Sequence, residues 1–149
     1  MANIINRFAG PYDFLSNFAT APVTLDGVLY PTVENAYQAA KTLVVADRVV
    51  FTNCAPNYAK RIGRQLRLRP DWEQVKDDIM YDLLKQKFAS GSSLASALLG
   101  TGDAYLCEGN VWHDNHFGAC FCDRCLYTPH LNLLGGFLMR IREELHKEI

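Results

Sequence analysis

The stretch Tyr30-Pro31-Thr32-Val33-Glu34-Asn35-Ala36-Tyr37-Gln38-Ala39-Ala40-Lys41 constrains this chain more than any other. It reads as a strand end, a turn at proline and the start of a helix. Thr32 is placed to cap the helix, and Glu34 sits in the first turn, where the helix dipole favours an acid. The pattern allows the helix to run past Lys41 through Val44. Val33, Tyr37 and Ala40 recur at i, i+4 and i+7, and so do Glu34, Gln38 and Lys41. At about 100° per residue the second set falls within roughly 60° of arc, a narrow polar stripe beside an apolar one. An acid, an amide and an amine in line form a candidate site. A solvated face with one Glu/Lys contact gives the same pattern.

The chain has 149 residues, enough for one domain, 1–149, around one core. Its hydrophobic and charged fractions are those of a soluble globular protein. A net charge of −1 speaks against a strong nonspecific nucleic-acid binder, while leaving room for a local basic groove. No leader pattern stands at Met1 to Asn6, and no apolar run is long enough to span a bilayer, so a cytoplasmic protein without membrane contact is expected. Five cysteines, three of them within Cys120 to Cys125, are expected as reduced thiols.

Asp26-Gly27 between Val23–Leu25 and Val28–Tyr30 predicts a two-residue hairpin. After the anchor helix the pattern predicts a short helix over 47–52, a helix from Pro56 or Asn57 through Leu66, and an amphipathic helix from Pro70 to Phe88. Gly63 inside the second of these marks a close approach. A short helix follows Ser92 or Ser93, a second small hairpin is expected around Gly109-Asn110, and a last helix starts near Leu131 or Asn132. The irregular run from His113 to His130 is long for a compact domain, and such loops are functional or tied by metal.

Four further places carry chemistry. Phe14, Ser16, Asn17 and Phe18 combine ring faces with hydroxyl and amide groups that suit a base and a sugar, or they are core residues and a turn. Glu108 and Asp114 flank Trp112, an arrangement suited to acid/base work on a glycosidic bond, or they are two solvated carboxylates. Cys120-x-Cys122-x-x-Cys125, with His113, His116 and His130 nearby and Cys107 as a further thiol, has the residue types of a zinc site. The C-x-C spacing places neighbouring side chains on opposite sides of an extended chain, so packed reduced thiols remain the other reading. Lys60, Arg61, Arg64, Arg67 and Arg69 form a basic run suited to diphosphate or to a solvated helix face, and the acidic helix from Asp71 to Asp82 balances most of it.

Together these segments resemble the NADAR family, the YbiA-like proteins. The resemblance rests on Phe14-Leu15-Ser16-Asn17-Phe18, the whole of Pro31 to Lys41, Ala59-x-x-x-Gly63-Arg64, Arg69-x-Asp71-Trp72, Lys87-Phe88, Leu98-Leu99-x-Thr101-Gly102, Glu108, Trp112-x-Asp114-x-x-Phe117-Gly118, and Asn132-x-Leu134-Gly135-x-x-Leu138-Met139-x-x-Arg142. It implies a mostly helical α+β fold and an N-glycosidase. Members act on riboflavin-pathway intermediates or remove ADP-ribose from modified guanine in nucleic acid. The resemblance singles out Glu34, Lys41, Glu108 and Asp114 as catalytic candidates. It offers Phe14, Ser16, Asn17, Arg64, Trp72, Phe117 and Asn132 for substrate. Phe117 stands where many members carry tryptophan, and His130 where a glycine often precedes the asparagine. The cysteine cluster belongs to only part of the family.

The expected reaction is hydrolysis of a ribose–base C–N bond, most readily the release of ADP-ribose from guanine in DNA or RNA. A riboflavin-pathway N-ribosyl substrate is the alternative. Glu34 is expected to stabilise charge on the sugar, and Glu108 or Asp114 to move the proton. Lys41 is expected either to attack C1 as an amine or to neutralise phosphate. No cofactor is expected for catalysis, and Cys120, Cys122 and Cys125 are candidates for a structural zinc. A nucleotide-binding module without catalysis and a metal-tied nucleic-acid domain are the competing classes.

Overall fold

The computed structural model describes residues 3–149, so Met1 and Ala2, on which part of the leader expectation falls, lie outside the described residues. In chain order the elements are β1 (Ile4–Ile5), a 3-10 turn (Gly10–Leu15), β2 (Val23–Leu25), β3 (Val28–Tyr30), α1 (Val33–Ala40), α2 (Val45–Arg48), a 3-10 turn (Val49–Thr52), α3 (Pro56–Gly63), α4 (Trp72–Lys87), α5 (Ser93–Leu99), β4 (Tyr105–Leu106), β5 (Gly109–Asn110), β6 (Ala119–Cys120), a 3-10 turn (Asp123–Cys125) and α6 (Leu133–Lys147). The fold is α+β and predominantly helical, as expected. No helix among the described residues is long and apolar enough to cross a membrane.

The chain divides into two units, one continuous from Asn17 to Lys87 and one built from Met1–Ser16 and Phe88–Ile149. In the continuous unit the predicted hairpin forms, with Val23 opposite Tyr30 and Leu25 opposite Val28. Its loop residues Asp26 and Gly27 have φ of 50° and 81°, the left-handed pair a tight hairpin turn requires. The Gln86 amide on α4 pairs with both backbone groups of Thr24, accepting its N–H at 2.7 Å and donating to its carbonyl at 2.8 Å. That locks the hairpin to the end of the longest helix.

Helix α1 is the centre of this unit. Thr32 Oγ1 accepts the Asn35 N–H at 3.0 Å, the predicted cap. All eight residues from Val33 to Ala40 are buried, against α3, α4 and the hairpin. Asn35 Nδ2 donates to the carbonyls of Phe51 and Cys54 at 2.9 and 2.8 Å, pinning the segment that follows α2. Tyr30, Phe51, Met80, Leu83 and Leu84 fill the surrounding core.

The helix ends at Ala40 instead of continuing through Val44. Lys41 N–H donates to Gln38 O at 3.2 Å and Thr42 N–H to Ala39 O at 3.3 Å, a tightened last turn. The Thr42 hydroxyl then takes the Val44 N–H at 3.1 Å, offering the backbone an alternative to helix. Helix α3 likewise stops at Gly63, short of the predicted Leu66.

In the other unit, α6 buries Leu134, Leu138, Ile141 and Leu145 against β4 and α5, and Ser92 caps α5 as predicted. The second hairpin does not form. β4 pairs in parallel with β1, where Tyr105 N–H donates to Asn3 O at 2.8 Å and Cys107 N–H to Ile5 O at 2.9 Å. β5 pairs in parallel with β6, Gly109 opposite Ala119 and Asn110 opposite Cys120. Each strand thus finds a distant partner, which a turn signal between neighbours cannot indicate.

Candidate functional site

The polar stripe of α1 is buried rather than solvated: Glu34 is 7% and Gln38 4% exposed. A carboxylate taken out of water needs partners or it loses its charge. Gln38 Nε2 donates to Glu34 Oε1 at 2.9 Å, one helical turn on. The Lys41 ammonium, a further turn along the same face, feels the Glu34 charge directly. Gln38 can occupy this position because residue 63 is glycine. A β-carbon there would overlap the Gln38 amide, so the close approach predicted from Gly63 is an approach by that side chain.

Lys41 ends the stripe at the helix terminus, half-buried. Burial pushes its pKa below the ordinary lysine value. Glu34 opposes this, while Arg64, Lys60 and Lys76 add to the lowering. The ammonium lies 6.0 Å from the centroid of the Tyr37 ring. Tyr37 in turn packs against Trp72 at 5.1 Å between centroids with planes tilted by 54°. Trp72, expected as a stacking wall, is 5% exposed and packs behind Tyr37.

Asn17 joins this group through its backbone, whose carbonyl accepts the Glu34 N–H at 3.1 Å. Its Nδ2 reaches Met80 Sδ at 3.5 Å. Asn17 Oδ1 and Gln38 Oε1 are both buried without a hydrogen-bond partner. Each orphaned acceptor costs about 1–3 kcal/mol of unmet hydrogen bonding. Arg64, just past α3, is exposed. Arg69 is engaged with Asp71, Nε to Oδ1 at 2.6 Å, and so serves structure.

The other unit brings Glu108, Asp114, Phe117 and Asn132 together. Asn132 has φ of 47°, a left-handed residue just before α6, and is 4% exposed. Its Oδ1 accepts the Glu108 N–H at 3.0 Å and its Nδ2 donates to Leu106 O at 2.9 Å. The amide is thus a clamp on the strand leading to Glu108. Asp114 Oδ1 accepts the N–H groups of His116 and Phe117, both at 3.1 Å, and so shapes its own loop. Position 118 is held open for Glu108, since a β-carbon there would overlap the Glu108 carbonyl and lie 3.3 Å from its Oε2. Phe117 is buried with an edge-on His116 ring at 4.7 Å. Phe14 is half-buried in the first 3-10 turn, and Ser16 follows that turn with its N–H on Asp13 O at 2.9 Å.

The cysteine run closes on a partner other than Cys107. Sulfurs of Cys120, Cys122 and Cys125 surround His113 Nδ1, and the four ligand atoms lie within 4.8 Å of one another. His116 and His130 lie outside this group, the first edge-on to Phe117 and the second tilted against Phe121.

Two further residues contribute that the spacing does not mark as functional. Tyr37 falls on the apolar stripe, yet its ring faces the ammonium. Asn110 organises the Asp114 loop, accepting the N–H groups of Trp112 and Asp114 at 3.2 and 3.1 Å and donating to Asp114 O at 2.8 Å. An asparagine oxygen that takes the N–H two residues on makes an Asx-turn, and Asn110 directly after Gly109 is the available signal.

Comparison with known proteins places this arrangement in company. A model of the NADAR domain matches residues 6–146. The N-glycosidase YbiA of Escherichia coli strain K12 is 34% identical over 151 residues, spanning 95% of this chain and 88% of that protein. A riboflavin biosynthesis protein of Vibrio vulnificus is 31% identical over 144 residues, 91% of this chain but 36% of that longer protein. The solution structure of E. coli YbiA superposes with a TM-score of 0.79 at 34% identity, covering 99% of this chain and 88% of that one.

Proposed function

The chain belongs to the NADAR domain family, and on that footing we propose that it is an N-glycosidase whose reaction is carried by the Glu34–Lys41 face of α1. The bond broken joins ribose C1 to a base nitrogen, and the substrate we assign is ADP-ribosylated guanine in DNA or RNA. The observation that carries this reading is a buried carboxylate and an amine of lowered pKa on one helical face.

The chemistry follows from those two groups. As the C–N bond lengthens, positive charge builds on the sugar, and the Glu34 carboxylate is placed to stabilise it. Gln38 holds that carboxylate by its amide. Neutral Lys41 Nζ attacks C1, the base departs with the bonding pair, the proton that Nζ sheds passes to the base, and a ribosylamine forms. Opening of the sugar ring moves its oxygen to a hydroxyl and leaves a Schiff base between Nζ and C1. Water adds to that carbon, the amine leaves, and the sugar recloses as free ADP-ribose. The net change is one water consumed and one glycosidic bond broken.

An ADP-ribosyl substrate is supported by the charge around Lys41, where Lys60, Arg64 and Lys76 suit a diphosphate. The test is parallel incubation with ADP-ribosylated guanine DNA and with a ribosylaminopyrimidine, reading released base and sugar. Borohydride added during turnover should fix an adduct on Lys41. Release without any adduct would leave an N-glycosidase but remove the covalent step.

The named relative in riboflavin biosynthesis supports a second reading, in which the small aminopyrimidine is the substrate. Turnover of the pyrimidine with inert modified DNA would favour it.

A further inference from the structure

The irregular run after β5 holds a cluster of side chains that the glycosidase reading does not use. We propose that His113, Cys120, Cys122 and Cys125 form a closed tetrahedral zinc site whose role is to fix the loop carrying Asp114 and Phe117.

The distances suit the metal. His113 Nδ1 lies 3.3 Å from Cys125 Sγ, 3.4 Å from Cys122 Sγ and 3.8 Å from Cys120 Sγ. With Zn–S near 2.3 Å and Zn–N near 2.0–2.1 Å, a regular tetrahedron has N···S edges of about 3.5 Å and S···S edges of about 3.8 Å. The three observed N···S edges bracket that value, and all four ligand atoms lie within 4.8 Å of one another. Three thiolates and one imidazole are a soft to borderline donor set that selects zinc over magnesium or calcium. Four protein ligands leave no coordination position for water or substrate, the mark of a structural rather than a catalytic metal.

The backbone is built for convergence. The C-x-C spacing would separate its side chains on an extended strand, but β6 ends at Cys120 and the chain turns at once. Cys125 N–H donates to Cys122 O at 3.0 Å, so the C-x-x-C half lies on one tight turn. Cys120 is fixed twice, by its register opposite Asn110 and by its N–H on Asn115 Oδ1 at 2.8 Å.

His113 is the strongest sign. Its φ is +67°, a left-handed conformation that costs a non-glycine residue about 1–2 kcal/mol. It is exposed, so apolar burial does not explain the conformation. Turning the ring nitrogen into the thiol group does.

The consequence reaches the neighbouring residues. Asp114 follows His113 directly, and its carboxylate holds the amides of His116 and Phe117. Asn115, whose side-chain oxygen holds the Cys120 N–H, also accepts the Leu131 N–H at its backbone carbonyl at 2.9 Å, just before α6. A metal here would cross-link the loop at both ends, reducing the chain entropy that a long irregular segment loses on folding.

The test is metal analysis of the full chain, expressed in zinc-supplemented medium and purified without a metal-affinity resin. About one tightly held zinc per chain is expected. Cobalt added to the stripped protein should give the visible bands of a tetrahedral thiolate complex, a readout independent of activity and of any variant. H113A and C122S should lose the metal, N115A should weaken it by about 10- to 100-fold, and H130A and C54S should retain it. A folded protein with all thiols reactive and no zinc, or with a disulfide among these cysteines, would overturn the proposal. So would cobalt bands unchanged in both H113A and C122S.

Discussion

The Gln38 side chain occupies the space that a β-carbon at Gly63 would fill, and from there it donates to Glu34. A residue on α3 therefore decides whether a carboxylate on α1 is held. G63A should push the amide out of place, costing about 1–3 kcal/mol for overpacking and weakening the hydrogen bond to Glu34. Adding Q38A should recover most of the stability but not the activity. Urea unfolding of the two single variants and the double variant tests the coupling. Additive losses would show that the contact does not matter.

Lys41 makes a prediction about pH. Burial pushes its pKa below the ordinary lysine value, so between the two values the unfolded chain holds the proton while the folded chain has released it. Stability should therefore rise with pH across that window, and the charged amine should cost stability below it. K41M should be more stable than the parent near neutrality and should lose this alkaline rise. For catalysis the neutral amine is the active form, so kcat/KM should climb with pH through the lowered pKa. K41R, charged throughout, should have no turnover. A K41R protein with near-normal activity would assign the lysine to charge neutralisation.

Asp114 separates position from proton transfer. Its Oδ1 takes two backbone N–H groups at 3.1 Å, which an asparagine oxygen can also do. D114N should keep the fold within about 1 kcal/mol, while D114A should lose about 1–3 kcal/mol by orphaning those donors. If the carboxylate only shapes the loop, D114N keeps kcat and D114A does not. Loss of kcat in both, with KM unchanged, would identify a proton-transfer role.

At Asn132 the backbone and the side chain can be tested apart. N132A leaves the Glu108 N–H and Leu106 O without their partner and also keeps a left-handed residue with a β-carbon. N132G removes the same hydrogen bonds but relieves the conformation, so it should be more stable than N132A by roughly 1 kcal/mol. Both should be less stable than the parent by denaturant unfolding. An alanine variant as stable as the glycine variant would remove the backbone argument.

Local chemistry was the legible part of this chain. The hairpin at Asp26-Gly27 and the Thr32 and Ser92 caps follow from short-range rules that the structure obeys, whereas α4 starts at Trp72, two residues past the proline expected in its first turn. The α1 stripe was visible by spacing, but its burial was not, because i, i+4, i+7 is the same pattern on a wet face and in a pocket. The parallel pairs β1–β4 and β5–β6 were illegible for a different reason. Each strand is two residues long, and its partner is set by packing far along the chain. His113 was noticed only as a neighbour of the thiols, since no spacing rule foretells a left-handed histidine. Asn132 was expected to reach substrate, and its place on an inner strand backbone depends on that same conformational class.

The discontinuous unit sets an order of events during synthesis. Its first strand, Ile4–Ile5, emerges from the ribosome early, yet its partner Tyr105–Leu106 follows only after the whole of Asn17–Lys87. The intervening stretch contains its own hairpin, caps and apolar core, so it can compact while the amino-terminal strand still waits. Joining these two strands, about a hundred residues apart in the chain, is a long-range closure of the kind that limits folding rate more than final stability.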